Sequence, residues 1–277
     1  MQKKVLKLNG VRDMKKVLTV IVLLLLLGAI GAGVYLFNYY HAENSSLYYI
    51  SSPKHGVSCD ISGSGKIIFV PGEEPKAGFI FYQGAKVQAE AYAPLLEKLA
   101  ERGILCILLD IPGNFPLFGI NAADGYVSKY PDIHDWYVGG HSLGGVTATM
   151  FLDKHHEDFD GLVLLASYPF SNLSDTHLRT LSVYGSNDGV LNLKKYEDAK
   201  DKLPADFTEI VIGGGNHANF GFYGEQKDDG TAGITRNEQI ELTVGYIYDF
   251  ITNTEREPEV PAEETPAEET PAETTEG

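Results

Sequence analysis

Seven short runs dominated by Ile, Leu, Val and Phe lie at 66–70, 78–82, 104–109, 136–139, 162–166, 181–184 and 208–212 of this 277-residue chain. Several are almost free of polar residues, as strands buried on both faces of a sheet are. The segments between them have helical spacing. From Ala91 to Arg102, Leu95, Leu96 and Leu99 fall on one side and Glu97, Lys98 and Glu101 on the other; 143–155, 193–203 and 235–251 follow the same rule, the last stopping near Asn253. Strand alternating with helix predicts an α/β fold, a mostly parallel sheet with helices on both faces. The functional site of such a sheet lies at the carboxyl ends of its strands.

Both ends of the chain differ from this body. Val17 to Phe37 is a run of 21 uncharged residues, which as a helix would span about 31 Å, close to the thickness of a bilayer's hydrocarbon core. Lys3, Lys4, Lys7, Arg12, Lys15 and Lys16 precede the run and no Lys or Arg follows it until Lys54. That asymmetry predicts a basic cytoplasmic segment at 1–16, an anchor at 17–37 and a body outside the membrane, with Tyr35, Phe37, Tyr39 and Tyr40 at the outer interface. A cleaved signal sequence and secretion are the alternative, although its apolar region would ordinarily be about 7–15 residues. A mature N-terminus downstream of Gly33 would establish that alternative. At the other end, 255–277 is almost only Glu, Pro, Thr and Ala with a five-residue repeat. It lacks the large apolar side chains needed to offset ordering entropy, so a disordered acidic spacer is expected. The body, 42–254, is long enough for one domain with a complete core.

The formal charge is −16, of which 1–16 contributes +5 and 255–277 contributes −8, leaving −13 on the rest. An acidic body is a poor match for nucleic acid. Two cysteines exclude a disulfide framework and a four-thiolate zinc site, and no Cys/His cluster suggests a metal; no cofactor is expected.

Chemistry concentrates at Trp136-Tyr137-Val138-Gly139-Gly140-His141-Ser142-Leu143-Gly144-Gly145, which reads as strand, sharp turn, helix and contains G-x-S-x-G. Such a turn exposes a serine hydroxyl at a strand tip, and side chains two positions before and after it would collide with backbone. The amide of Leu143, at the helix start, could then stabilise an oxyanion. A serine nucleophile needs a base oriented by a carboxylate, in the chain order Ser, Asp or Glu, His. Among the histidines after Ser142, His155 and His156 end a helix and His177 lies in a polar stretch, whereas His217 follows a strand in the Gly-rich stretch 213–219. His217 is the expected base. Asp188, in Gly185-Ser186-Asn187-Asp188-Gly189 after a strand, is the expected carboxylate, ahead of Asp175 and Asp206. His141 reads as a packing residue facing away from Ser142. The second oxyanion amide is assigned to Ala85 or Lys86, after the strand ending Tyr82-Gln83-Gly84.

These motifs, with Ala91-Tyr92-Ala93-Pro94-Leu95 and His217-Ala218-Asn219-Phe220-Gly221-Phe222-Tyr223-Gly224, resemble the α/β hydrolase fold-5 family, which is related to dienelactone hydrolases. The resemblance covers roughly 66–250. It implies an α/β-hydrolase fold and hydrolysis of an ester-like bond through Ser142, Asp188 and His217, and little about the substrate. Dienelactone hydrolases proper use a cysteine where this chain has Ser142. About a dozen residues separate the strands ending near Ala166 and beginning near Leu181, which leaves no room there for a large lid; 114–130 is the remaining segment that could shape a pocket. Two alternatives remain at this stage: a surface-anchored binding protein without turnover, and an acyltransferase using the same three residues.

Overall fold

In the computed structural model, which describes residues 2–54, 56–63 and 65–253, the apolar runs pair into one eight-stranded sheet. Its strands are β1 (Val57–Asp60), β2 (Lys66–Pro71), β3 (Ala77–Tyr82), β4 (Ile104–Leu109), β5 (Trp136–His141), β6 (Gly161–Leu165), β7 (Arg179–Gly185) and β8 (Phe207–Ile212). They lie in the order β1-β2-β4-β3-β5-β6-β7-β8, with β3 to β8 parallel and β1 and β2 antiparallel at one edge. The helices are α1 (Gln2–Phe37), α2 (Asn44–Ser51), α3 (Ala93–Glu101), α4 (Tyr126–Lys129), α5 (Leu143–His155), α6 (Leu193–Ala199) and α7 (Arg236–Thr252).

The pleat divides the apolar residues between two layers. Phe79 and Phe81 of β3 join the cluster that holds Leu95, Leu96 and Leu99 of α3 and Ile240, Val244 and Ile247 of α7. Ile80 and Tyr82 point the other way, into the cluster with Ala148, Phe151 and Leu152 of α5. Each such fully buried side chain contributes about 1.5–3 kcal/mol by leaving water, which makes the sheet a rigid platform for the loops at its ends.

Elements missed from sequence have local causes. β1 is four residues of alternating half-buried and exposed side chains, too short to show a period. Ala89–Tyr92 forms a separate 3₁₀ turn before α3, whose first turn accommodates Pro94. Glu97, expected on the outer side of that helix, is fully buried, because α2 packs across α3. At the other end α7 opens with a capping box, Thr235 with Glu238, and closes on Asn253 in the left-handed region (φ 53°).

Helix α1 begins at Gln2, so the basic segment and the apolar run form one helix. Its stretch Met14–Gly31 is unburied and is long and apolar enough to cross a membrane or to act as a signal sequence. The acidic repeat at 255–277 lies outside the described residues.

Candidate active site

The turn from β5 into α5 puts Ser142 at φ 53°, ψ −123°, a region strained for any residue with a β-carbon. Two bonds hold it there: its N–H donates to the Leu165 carbonyl (2.9 Å) and its carbonyl accepts from Ser167 Oγ (2.7 Å). The flanking glycines are required by close approach. A β-carbon on Gly140 would strike the backbone of Gly144, and one on Gly144 would strike the carbonyl oxygens of Tyr82 and Gln83.

Asp188 follows β7 and His217 follows β8, so both loops leave the carboxyl end of the sheet beside Ser142. Asp188 Oδ1 accepts from the N–H groups of Val190 (2.8 Å) and Leu191 (2.7 Å), and Oδ2 pairs with His217 Nδ1 at 2.9 Å. Both side chains are 1 % exposed. A carboxylate only accepts, so Nδ1 carries the proton and Nε2 of the neutral ring is left as an acceptor. That Nε2 is buried and has no hydrogen-bond partner among the described residues. Ser142, Leu143 and His217 line one cavity of about 180 Å³, closed by Val146, Ala166-Ser167-Tyr168 and Val190-Leu191-Asn192.

The competing residues lie elsewhere. His155 stacks on Phe151, His156 pairs with Glu157, and His177 Nε2 bonds to the Phe159 carbonyl; Asp175 and Asp206 are exposed. The 114–130 segment does not line the cavity. It packs over α5, with Tyr82 donating to the Ile120 carbonyl (2.5 Å).

Leu143 is the first residue of α5 and its N–H is one of the orphan donors of a helix start. In the loop after β3 the neighbouring amides are occupied: Gly84 N–H donates to the Tyr92 hydroxyl (3.0 Å) and Lys86 N–H to the Asn114 carbonyl (2.6 Å). Between them, the Ala85 N–H makes no hydrogen bond among the described residues. Gln83, fully buried, braces this loop by donating to the Val87 carbonyl (2.9 Å) and Asn114 Oδ1 (3.0 Å) while accepting from Ile111 N–H (3.0 Å).

His141, expected to pack facing away from Ser142, lies against the candidate base, and two further supports, Asp229 and Gln239, carry no signal in the sequence. The His141 ring lies 4.5 Å from that of His217, centroid to centroid, and its Nδ1 is 2.8 Å from the Tyr92 hydroxyl. Burial first, and the adjacent imidazole second, hold His141 well below the usual histidine range, so it stays neutral as a wall behind His217. The Asp229 carboxylate accepts four N–H groups: Gly189 (3.0 Å), His217 (3.2 Å) and Gly230 (2.8 Å) on Oδ1, and Ala218 (2.8 Å) on Oδ2. Gln239 clamps the Asn216 backbone at both its N–H (3.0 Å) and its carbonyl (2.8 Å).

Two larger depressions, about 590 and 710 Å³, open at the amino ends of the strands, and neither is lined by a serine. Among the described residues no three His, Cys, Asp or Glu side chains are grouped to hold a metal ion. Cys59 and Cys106 are both free; burial raises both thiols, Cys59 to about 11.

Residues 78–241 match the family model of the alpha/beta hydrolases. Among similar solved structures is a predicted CIB-like hydrolase from Thermoplasma acidophilum, 14 % identical, covering 70 % of this chain and 100 % of that one with a TM-score of 0.52. Est1E from Butyrivibrio proteoclasticus is 14 % identical over 72 % of this chain and 98 % of its own, TM-score 0.52. Its complex with ferulic acid is 15 % identical over 72 % and 96 %, TM-score 0.53. At these identities the likeness is one of fold. No curated protein matches in sequence.

Proposed function

Because the chain belongs to the alpha/beta hydrolase family, we propose that it is a serine hydrolase that cleaves a carboxylic ester, lactone or thioester through an acyl-enzyme. Ser142 is the nucleophile, His217 the base and Asp188 the orienting carboxylate. The observation that carries this reading is the buried Asp188–His217 pair, whose unpartnered Nε2 belongs to a residue lining the same cavity as Ser142.

Nε2 takes the proton from Ser142 Oγ as the oxygen attacks the substrate carbonyl, and returns it to the leaving alcohol or thiol. Asp188 fixes the tautomer and stabilises the imidazolium. The developing oxyanion is met by the Leu143 N–H and, we infer, by that of Ala85 rather than Lys86, whose amide is held by Asn114. Water then attacks the acyl-enzyme by the reverse proton path. The N-terminal helix serves as an uncleaved anchor with the body outside the membrane, a reading supported by its apolar stretch and by the basic residues before it. The hydrolase domain is read as 42–254.

A fluorophosphonate probe should label the wild-type chain, and Ser142→Ala should abolish the label; a mutant that still labels ends the assignment. A panel of short p-nitrophenyl esters, thioesters and lactones then identifies the leaving group. Ferulic acid, found bound to Est1E, makes an aromatic ester one arm of that panel.

A further inference from the structure

Helix α1 does not join the body at an arbitrary point. It ends at Phe37, and Tyr40 is already fixed to the loop after β3: its N–H donates to the Lys86 carbonyl (2.7 Å), its carbonyl accepts from Gln88 N–H (3.0 Å), and the pair forms a parallel bridge with Val87. The Tyr40 hydroxyl accepts from Lys227 N–H (3.1 Å), and the Glu43 N–H donates to the Phe222 carbonyl (2.8 Å), both in the segment after His217. Helix α1 also touches Pro112–Asn114, beyond β4. All these contacts lie at the carboxyl end of the parallel strands, the end that carries Ser142, Asp188 and His217. Three residues of extended chain reach about 10 Å, so the end of the helix and the loop bearing Ala85 are close neighbours.

Two of the exposed apolar side chains of the body point to the same conclusion. Phe118 in the loop after β4 and Leu193 at the start of α6 are 62 % and 47 % exposed, and both sit at this end of the sheet. The cavity at Ser142, about 180 Å³, is smaller than the roughly 300–1,000 Å³ clefts that enclose a whole drug-sized ligand. It suits the group next to the scissile carbonyl and leaves the rest of a substrate on the rim.

We propose that the mouth of the site faces the bilayer from which α1 emerges and takes an ester carried in that bilayer, with a short acyl group entering the cavity and the apolar remainder staying in the lipid. This rests on the serine-hydrolase reading for the chemistry and on the anchor reading for the membrane. The negative charge of the body gives no attraction to an anionic surface; the short tether and the apolar rim supply the contact.

The test uses the full chain in phosphatidylcholine vesicles. In Phe118→Trp, replacing the vesicles by ones with brominated acyl chains should quench the new tryptophan, while Glu74→Trp, at the amino ends of the strands, and the wild type with its buried Trp136 keep their emission. Phe118→Trp emission quenched no more than that of Glu74→Trp overturns the proposal. A second arm inserts about ten Gly and Ser residues between Asn38 and Tyr39, roughly 17 Å of average reach, leaving the Tyr40 contacts intact. Turnover of hexadecyl butyrate in the vesicles, relative to p-nitrophenyl butyrate in solution, should fall about tenfold; an unchanged ratio also overturns it. The emission readout needs no turnover and fluorophosphonate labelling needs no bilayer, so each reading can fail without the other.

Discussion

An imidazole abstracts a proton efficiently only if its loop is held still, and His217 is held chiefly through backbone. Asp229 gathers N–H groups from Gly189 beside the candidate acid and from His217 and Ala218 at the candidate base, so one carboxylate fixes the two loops relative to each other. Asp229→Asn keeps the shape but turns an NH₂ toward donors that have no other partner in the loop. With a soluble p-nitrophenyl ester, kcat should fall about a hundredfold with KM nearly unchanged, the cost of a displacement of about 1 Å in the reacting geometry. A larger change in KM than in kcat would show that Asp229 shapes binding instead. Ser142, Asp188 and His217 could be nominated from sequence because glycine spacing and chain order carry them. Asp229 could not be: its partners are amides, which have no side-chain signature, and Asp228-Asp229-Gly230 reads as a solvated turn.

Among the elements, α3 shows how a correct period can misplace a residue. Its apolar stripe was legible, but Glu97 on the opposite side is covered by α2, whose eight residues from Asn44 are too few to announce themselves. The Lys54 N–H donates to Glu97 Oε1 (2.8 Å), while Oε2 is buried with no hydrogen-bond partner among the described residues. Burial pushes this carboxyl from 4.5 up to about 7. The folded protein therefore holds a proton that the unfolded chain releases above about 4.5. Stability drains away as pH rises from there to about 7 and stays lower beyond it. Glu97→Gln removes the charge and keeps the acceptor for Lys54. It should raise Tm above pH 7, by about 2–4 °C for each kcal/mol of relieved burial cost, and the gain should vanish below about pH 4.5. Equal melting curves at pH 8 would mean that Glu97 is charged at no cost. The elbow, in contrast, was legible as a whole element, because its glycines fall at fixed spacing around Ser142: Gly140 is demanded by contact with Gly144 within the same strand–turn–helix unit and Gly144 by the neighbouring strand end at Tyr82 and Gln83.

At the scale of the molecule, the junction between α1 and the body is the part that sequence could not supply. The helix itself was plain from its uncharged run, but the pairing of Tyr40 with Lys86 to Gln88 joins residues far apart in the chain and leaves no local pattern. The hydrogen bonds of Tyr40 to Lys86 and Gln88, and of Ala42 N–H to Gln88 Oε1 (3.1 Å), tie the residues around the expected start of the body at 42 to the loop that bears Ala85. Glu43 adds an ion pair to Arg236 (2.8 Å) at the head of α7. If Ala85 supplies an oxyanion amide, the residues just after α1 set its position, and two truncations should behave differently. Deleting 1–38 keeps Tyr40 and should leave kcat for a soluble ester within about a factor of two. Deleting 1–43 removes the clamp and should lower kcat about tenfold, since a loosened donor acts mainly on the transition state. Kinetics on the two shortened chains, each checked for a cooperative melt, decide the matter: matching kcat values would mean that Tyr40 only ties the body to its helix and has no hold on the chemistry.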